Sequence, residues 1–371
     1  MRLAFVDFVY GYDAGRPDEP APLGGTTSAV CFLARALHQE GVSCTLFNAI
    51  ETPRSAHGIP SLPLESIKDA VLDEAFDVYI FCGRWQESLV RFLRARTQAP
   101  FIAWMHESEL GGALTPALEA FDGIVFVSAW QQRVNRALVP PSWRQTVIRN
   151  AMNPCVAASF QEGASILAAK SMPPLLLFAG NVARGAFHLP GILQKIRERR
   201  SDFSVEVFCD LNPSGDPGPD AAYLDWMRQQ PNIVHVGPVG QTELARRMRR
   251  AALFVAPNPW PETSCIALIE AMASGLDVIA TQRAALPETA SGFARLIPID
   301  ASDDRRRFDQ AIDVDAFADA VLESLAAWET RSLDLERRLE RQVAFFRQHY
   351  QWASRVPLWR AFMDDLKKEA G

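Results

Sequence analysis

The sequence lacks two features that would each place it in a broad class of protein. No run approaches the ~20 apolar residues that a membrane-spanning helix needs, so we expect a soluble chain. Basic residues are not in excess: 38 lysines and arginines against 44 aspartates and glutamates give a formal net charge of -6. A general nucleic-acid-binding protein needs a basic surface, so nucleic acid is not expected as a partner.

Cysteines are few and scattered. None of the six belongs to a C-x-x-C pair. Buried single thiols in a reducing cytosol are therefore expected, in place of disulfides or a structural zinc site. Residues 1–7 predict a strand interrupted by an acid, and not a signal peptide.

Motifs of several common enzyme classes are also missing. The sequence contains no G-K-[ST], H-E-x-x-H or G-x-S-x-G, which argues against P-loop, zincin and serine-hydrolase chemistry. A glycine pair, Gly24-Gly25, opens a predicted helix, but it lacks the G-x-G-x-x-G spacing of a dinucleotide-binding turn. A simple dehydrogenase is therefore disfavoured.

The chain does contain a regular alternation of short apolar runs and helical patterns. Its 371 residues exceed what one hydrophobic core usually supports, so two domains are expected. Strands alternating with helices predict a parallel, doubly wound sheet in each domain. The pattern restarts after a polar, Ala-rich stretch at 157–171. Predicted strands cover 3–9, 43–48, 78–82, 101–104, 124–127 and 146–148 in the first half, and 175–178, 204–208, 233–236, 253–256 and 278–280 in the second.

Two carboxylates eight positions apart form the most informative motif. Glu262 lies in a proline-bounded loop after a predicted strand, and Glu270 lies inside an apolar, Ala-rich helix. At about 1.5 Å per helical residue they are at most ~12 Å apart along the axis. That is roughly the reach of a sugar joined through two phosphates to a ribose, and the free N–H groups at the helix start favour a diphosphate. The alternative is that the pair is incidental, as acids on an amphipathic helix often are.

This segment resembles the retaining glycosyltransferases of family 4, which have the two-domain GT-B fold. Their pattern is a glutamate, a short Gly/Phe/Gly-like run, and then Glu-Ala-Met-Ala-x-Gly before a strand. Glu262 and residues 270–275 match it. Thr263 and Ser264 depart from it, because the family more often has glycine and phenylalanine there.

The resemblance implies a role for each residue of the motif. Glu262 would contact the donor sugar, and Glu270 would bind the ribose hydroxyls. The backbone amides that would face the phosphates belong to Ser264, Cys265 and Ile266.

The loop after the first strand of the second half contains an arginine, Arg184, at a position where the family has a basic residue. The family has Gly-Arg and, a few residues later, Lys-Gly; this chain has Gly180-Asn181 and Arg184-Gly185. The resemblance implies that Gly180 and Asn181 line the donor site and that Arg184 clamps the diphosphate. A guanidinium suits this role because it binds phosphate bidentately and stays charged. Asn181 leaves one cation where two are common. The alternative is a surface arginine in a turn.

Two features of the first half also match the family. The resemblance implies that Gly24-Gly25 lies against the donor phosphate or the acceptor; the alternative is an ordinary turn with Thr26 or Thr27 as N-cap. His106 follows a predicted strand, where the family often has a histidine before an acid. It would contact the donor sugar or position the acceptor, and the alternative is a structural histidine.

Other polar residues carry weaker signals. Ser128 and Asn150 follow predicted strands at positions that the family uses. Asp313-Val314-Asp315 has the D-x-D form of a metal site, but it precedes a clear helix. Helix capping and dipole complementarity explain both acids, so no metal site is predicted.

The tail, 331–368, is predicted to be helical and amphipathic, with a break at Pro357. By the resemblance its last helix returns to the N-terminal domain. The expected domains are therefore 1–165 with 345–371 on the acceptor side, and 166–344 as the nucleotide-sugar-binding domain. The buried side of the tail would consist of Trp352, Leu358, Trp359, Phe362 and Leu366.

The expected fold class is therefore α/β, GT-B, with two Rossmann-like doubly wound parallel-sheet domains facing a cleft. The expected enzyme is a metal-independent, retaining hexosyltransferase without a cofactor. It would move a sugar from a UDP- or GDP-linked donor to a hydroxyl of a glycan, a lipid-linked or a small-molecule acceptor, in glycan or glycoconjugate biosynthesis. The expected location is cytoplasmic, with peripheral contact at the inner face of the membrane as an option. The alternatives are a non-catalytic nucleotide-sugar-binding module and a GT-B-type nucleotide-sugar isomerase.

Overall fold

The structure of the chain, a computed structural model, describes residues 1–73, 76–108, 117–160, 163–180, 184–209, 226–227, 229–230, 232–299 and 312–370. These residues fall into two compact units. The first comprises Met1–Glu19, Leu23–Ala151 and Tyr350–Gly371, and the second comprises Pro20–Pro22 and Met152–His349. The sequence-based domain limits at 165/166 and 344/345 stay a prediction.

The first unit is built on one sheet of eight strands. They are β1 (Arg2–Val6), β2 (Ser43–Asn48), β3 (Arg54–Ala56), β4 (Ile59–Pro63), β5 (Val78–Cys82), β6 (Phe101–Met105), β7 (Gly123–Phe126) and β8 (Arg144–Val147). Their order is β3-β4-β2-β1-β5-β6-β7-β8, and every neighbouring pair except β3–β4 is parallel. β5, β6 and β7 are buried along their whole length, as expected for parallel strands covered on both faces.

The sequence does not predict the hairpin β3–β4. Its two-residue turn, His57-Gly58, has positive φ at both positions, 53° and 75°. That is the backbone of a type I′ turn. Asparagine, aspartate or glycine usually occupies the first position of such a turn, so a histidine there does not predict it. Pro60 and Pro63 in β4 also argue against a strand when only the sequence is known.

Four helices follow strands of this sheet within the same unit. They are α1 (Gly25–Gln39), α2 (Ile67–Leu72), α3 (Glu87–Arg94) and α4 (Ala129–Asn135). The helix predicted from Thr27 begins two residues earlier, at Gly25, and its N-cap is Gly24 without a side-chain cap. The alternative with Thr26 or Thr27 as N-cap is therefore wrong.

The second unit has one sheet of six strands, all parallel. They are β9 (Leu175–Ala179), β10 (Ser204–Phe208), β11 (Ile233–His235), β12 (Leu253–Ala256), β13 (Asp277–Gln282) and β14 (Arg295–Pro298). Their order is β11-β10-β9-β12-β13-β14. Counted within the unit this is 3-2-1-4-5-6, the strand order of dinucleotide-binding sheets, which changes direction between β9 and β12. The expectation of parallel, doubly wound sheets in both halves is confirmed, although β14 was not predicted.

The helices of the second unit cover this sheet. Its core lies between the strands and the apolar faces of three helices, with Phe317, Trp328 and Leu339 fully buried. In the described part of this unit the helices are α5 (Pro154–Ala157), α6 (Leu189–Arg197), α7 (Gln241–Arg250), α8 (Ile266–Ala273), α9 (Leu286–Ala290), α10 (Val314–Thr330) and α11 (Leu333–His349).

The last helix, α12 (Val356–Ala370), belongs to the first unit. Trp352, Trp359, Phe362 and Leu366 are buried as predicted, but the expectation for Leu358 is wrong, because its side chain is 49% exposed. Successive helical residues are turned by about 100°, so Leu358 lies well to one side of the stripe that Trp359 and Leu366 form.

Close packing of α12 on the sheet depends on one glycine. A Cβ at Gly123 in β7 would lie 2.9 Å from the Phe362 ring and 3.1 Å from a methyl group of Leu366. The helix can therefore lie directly against this strand because the strand begins with a residue that has no side chain.

All six cysteines are free thiols. Four are buried as expected, but Cys265 is half-buried and Cys155 is exposed, so the expectation of a buried thiol is wrong for Cys155. In the part of the chain that the structure describes, no helix is both long enough and apolar enough to cross a membrane.

Candidate active site

The topology of the second sheet locates the candidate site. In open α/β sheets, ligands bind outside the carboxyl ends of the strands where the strand order changes direction, here at β9 and β12. Arg184 follows β9, and Glu262 follows β12. The candidate residues of this unit therefore lie where such a sheet most readily binds a ligand.

Arg184 and Glu262 form an ion pair. Arg184 Nη1 donates to Glu262 Oε1, and the carboxylate raises the pKa of the guanidinium above its ordinary value. The Glu262 side chain is 7% exposed and that of Arg184 is 38% exposed. The guanidinium carbon also lies 5.7 Å from the ring centre of Trp260. The residue expected to clamp the phosphates therefore contacts the acid expected to contact the donor sugar.

Gly185 allows the two loops to meet. Its φ is +108°, and a Cβ there would lie 2.2 Å from the carbonyl oxygen of Pro257 and 3.1 Å from the amide nitrogen of Asn258. Both its backbone conformation and the closeness of the facing loop require glycine. The close packing of Gly185 on the facing loop thus places Arg184 beside Glu262. This explains why a glycine follows the arginine in the sequence.

Asn258 is a site residue that the sequence analysis missed. Its Nδ2 donates to Glu262 Oε1 over 3.0 Å, and its Oδ1 accepts from the amide of Trp260 over 2.9 Å. Thr281 Oγ1 donates to the Asn258 carbonyl oxygen over 2.6 Å, and the amide of Ala285 donates to the carbonyl oxygen of Glu262 over 3.0 Å. The sequence feature that could have identified Asn258 is its position, two residues beyond a buried strand and between two prolines.

The loop enters α8 through a left-handed residue. Cys265 has φ 58° and ψ 77° and is the N-cap. Thr289 Oγ1 donates to the Ser264 carbonyl oxygen over 2.6 Å, which fixes the turn from the other side. Among the described residues, the amides of Ser264, Cys265 and Ile266 have no backbone acceptor. Amides at a helix start that lack an acceptor favour an anion. Burial raises the pKa of the Cys265 thiol, so it is not a thiolate nucleophile at neutral pH.

Glu270 lies in α8 and is 4% exposed. Its Oε1 accepts from the amide of Asn153 over 3.1 Å. Burial raises the pKa of Glu270 to about 7, and the hydrogen bond from Asn153 only partly opposes this effect. Asn153 is itself fixed, because its Oδ1 accepts from the amide of Cys155 over 2.9 Å and its Nδ2 donates to Gln241 over 3.2 Å. Near pH 7 this carboxyl is divided between its neutral and charged forms.

His106 follows β6 in the first unit. Its ring lies 4.6 Å from that of Trp104, centre to centre. Burial lowers the pKa of His106 to about 4, and a hydrogen bond with Asn150 opposes the shift. The imidazole is therefore neutral at pH 7. The carbonyl oxygen of Asn150 accepts from Arg355 over 3.3 Å. Asn150, which follows β8, therefore links His106 after β6 to Arg355 just before α12.

The glycine candidates are less constrained than Gly185. A Cβ at Gly24 would meet nothing within 4 Å, and one at Gly180 would make only ordinary contacts at 3.8 Å. Gly25 is the first residue of α1. Asn181 lies outside the described residues.

Two of the polar residues with weaker signals, Ser128 and Asp313, act as helix caps. The Ser128 side chain accepts from the amide of Gln131 over 3.1 Å and caps α4, and Asp313 accepts from Ala316 over 2.9 Å and caps α10. Capping of α10 is what the sequence predicted for Asp313. Among the described residues, no group of three or more His, Cys, Asp or Glu is placed to hold a metal ion.

Comparison with known proteins supports a glycosyltransferase family. Residues 173–327 match the family model of Glycosyl transferases group 1, a segment that contains all six strands of the second sheet. A search of curated protein sequences finds no match.

Similar solved structures include sucrose-phosphate synthase from Thermosynechococcus elongatus, which is 17% identical over 98% of this chain and 99% of the other, with a TM-score of 0.70. A glycosyltransferase from Rickettsia africae is 13% identical over 98% of each chain, with a TM-score of 0.72. Anabaena HepE in complex with UDP and glucose is 11% identical over 98% of this chain and 100% of the other, with a TM-score of 0.67. With two parallel-sheet α/β units and these similarities, the fold is GT-B.

Proposed function

We propose that this chain is a glycosyltransferase that moves a sugar from a nucleoside diphosphate sugar to an acceptor hydroxyl. The observation that carries the proposal is the buried carboxylate of Glu262, which lies where the sheet order changes direction and accepts hydrogen bonds from Arg184 and Asn258. It belongs to the segment that matches the group 1 glycosyltransferases.

The proposed donor site divides the work among four groups. Glu262 orients the sugar, and Glu270 binds the ribose hydroxyls. Arg184 and the amides at the start of α8 stabilise the negative charge that develops on the diphosphate as the sugar leaves. These groups supply the electrostatic stabilisation, so the proposed reaction is metal-independent.

The proposed reaction retains the anomeric configuration, as the resemblance to family 4 implies. A phosphate oxygen of the donor accepts the acceptor's proton while the new glycosidic bond forms. The first unit holds the acceptor, and His106, which is neutral at pH 7, positions it. The acceptor hydroxyl belongs to a glycan, a lipid-linked or a small molecule, and the reaction takes place in the cytoplasm.

UDP-glucose is the first donor to test. The Anabaena structure holds UDP and glucose, and a GT-B site of the same kind in this chain would accept a donor of that class. In such a site the base contacts are made largely by the backbone, which many nucleotides can use, so GDP-linked sugars belong in the same experiment.

The test is release of nucleoside diphosphate from a panel of UDP- and GDP-sugars, with and without added glycoside acceptors. We expect turnover of at least one donor, and a loss of about a hundredfold or more in Glu262→Gln. Product NMR then reports the anomeric configuration, and EDTA reports metal dependence. Donor binding without turnover for every acceptor would replace the proposal by a binding module, and a product that keeps its nucleotide would indicate an isomerase.

A further inference from the structure

We infer that Asn258 is a positioning residue for Glu262, and that it keeps this carboxylate in place when Arg184 leaves it for the donor diphosphate. The inference rests on the proposed function and assigns a role to a side chain that the family pattern did not identify. Its starting point is that one oxygen of Glu262 receives two hydrogen bonds.

Both side-chain donors contact the same atom. Arg184 Nη1 and Asn258 Nδ2 each donate to Oε1 of Glu262. No described residue donates to Oε2. Among the described residues, the carboxylate is therefore fixed through Oε1 alone. In the donor complex, a hydroxyl of the sugar donates a hydrogen bond to Oε2.

Asn258 cannot easily turn away from Glu262. It is 4% exposed, and its backbone amide donates to the carbonyl oxygen of Ala256 over 2.8 Å. Its Oδ1 accepts from Trp260 and its carbonyl oxygen from Thr281, so all of its polar groups have partners. Thr281 is fully buried. Each bond fixes the direction in which Nδ2 points.

Arg184 is the more exposed partner of the two. Its side chain is 38% exposed and ends in a guanidinium, which binds phosphate through two parallel hydrogen bonds. A diphosphate beside α8 offers more negative charge than a single carboxylate. Once Arg184 binds the diphosphate, the bond from Asn258 is the remaining side-chain hydrogen bond to Glu262 within the described residues.

A double-mutant cycle tests this division of roles. Asn258→Ala, Arg184→Ala and the double variant are compared in two measurements: thermal unfolding of the free protein, and kcat for UDP release from UDP-glucose. We expect Asn258→Ala to lower kcat about tenfold or more, the size that loss of a hydrogen bond to a charged group produces. The two substitutions should couple in the unfolding data, because both donors share one oxygen. In kcat their effects should multiply, because in the donor complex they act on different groups.

The matched control is Asn232→Ala in the same unit, whose Nδ2 donates to the carbonyl oxygen of Phe203 over 2.7 Å, away from the site. It should leave kcat unchanged. Ligand binding gives a second readout. Loss of Asn258 should weaken binding of UDP-glucose and leave binding of UDP unaffected, because UDP lacks the glucose that Glu262 orients.

Three outcomes would overturn the inference: a kcat of Asn258→Ala equal to that of the control, equal weakening of UDP and UDP-glucose, or a coupling in kcat as large as that in unfolding. These differ from failure of the proposed function. In that case the wild type would release no nucleoside diphosphate from any donor of the panel.

Discussion

The side chains of the site differ in how firmly the surrounding structure fixes them. Asn258 and Gly185 are fixed by several contacts, whereas Arg184 lies on the edge of solvent. Glu270 is buried, and the backbone amide of Asn153 donates to its Oε1. Fixed side chains can orient a ligand, whereas an exposed side chain can move to bind a charged group of the ligand. Substitutions at these residues should therefore differ in whether they change stability, donor turnover or pH dependence.

Gly185→Ala should lower both stability and donor turnover. The new methyl group would meet the backbone of Pro257 at 2.2 Å, and alanine is strained at a φ of +108°. We expect a loss of roughly 1–3 kcal/mol in the free energy of unfolding, measured in urea, because the loop must move and carry Arg184 with it. Gly180→Ala is the matched control, since its methyl group would make only 3.8 Å contacts. Equal stability of the two variants would contradict the packing described for Gly185.

Glu270 should give the protein a characteristic pH dependence. Its pKa is raised by burial from an ordinary value of 4.5 to about 7, so between these values the folded protein binds more protons than the unfolded chain. The free energy of unfolding should therefore fall as pH rises from about 4.5 to 7 and then level off. A shift of this size corresponds to roughly 3.4 kcal/mol.

Thermal unfolding of the wild type and of Glu270→Gln between pH 4.5 and 8 tests this. The variant lacks the titrating group, so its melting temperature should fall less over this range. Glu329→Gln, at an exposed ion pair, is the control and should follow the wild type. If Glu270→Gln also followed the wild type, the carboxyl would titrate at its ordinary pKa.

At the scale of elements, α12 is joined to the strand that precedes His106. The rings of Trp359 in α12 and Trp104 in β6 lie 5.1 Å apart in an edge-to-face arrangement, and both are almost fully buried. The position of His106 at the end of β6 therefore depends on a helix more than two hundred residues further along the chain.

Trp359→Ala should destabilise the first unit by roughly 3–5 kcal/mol, because it removes a large buried ring and leaves a cavity beside Trp104. Its sequence neighbour supplies the control: Leu358 is 49% exposed, and Leu358→Ala should change the free energy of unfolding by no more than about 0.5 kcal/mol. Urea denaturation followed by tryptophan fluorescence measures both. A small effect of Trp359→Ala would mean that α12 is not part of the core of this unit.

The sequence predicts elements well where a strand is apolar and buried. The strands 78–82 and 253–256 have the predicted limits in the structure, because continuous apolar runs between turns allow few other interpretations. β3, β4 and β14 were missed, since they are short edge strands or neighbours of one and carry polar residues or prolines.

The site is predictable only in part, for a different physical reason. Glu262 and Glu270 stand out because they belong to one local pattern. The contact between Arg184 and Glu262 joins residues 78 positions apart, and the role of Asn258 depends on which carboxylate oxygen its side chain reaches. Neither the contact nor the choice of oxygen can be inferred from the spacing of residues within a short segment.

At the scale of the whole molecule, the first unit is formed from separated parts of the chain. Met1–Glu19, Leu23–Ala151 and Tyr350–Gly371 belong to it, and almost all of the second unit lies between them in sequence. The stability of the first unit should therefore depend on the segment Tyr350–Gly371.

Truncation after His349 should destabilise the first unit strongly, because it uncovers Trp104 and the surface of β7 that packs against Phe362. Truncation after Leu366 keeps the buried side of α12 and should have little effect. Hydrogen exchange resolved by peptide measures both variants: the first should lose protection in β5 to β7 while the second sheet keeps it. Retained protection in both variants would contradict the dependence on α12.

The same connectivity has a consequence for biosynthesis. A ribosome delivers the eight strands of the first sheet before the second unit, but it releases the helix that closes their core only after that unit. The first unit is therefore completed after the second. Until α12 emerges, the nascent protein carries an apolar surface around Trp104 and Gly123 that is open to chaperones.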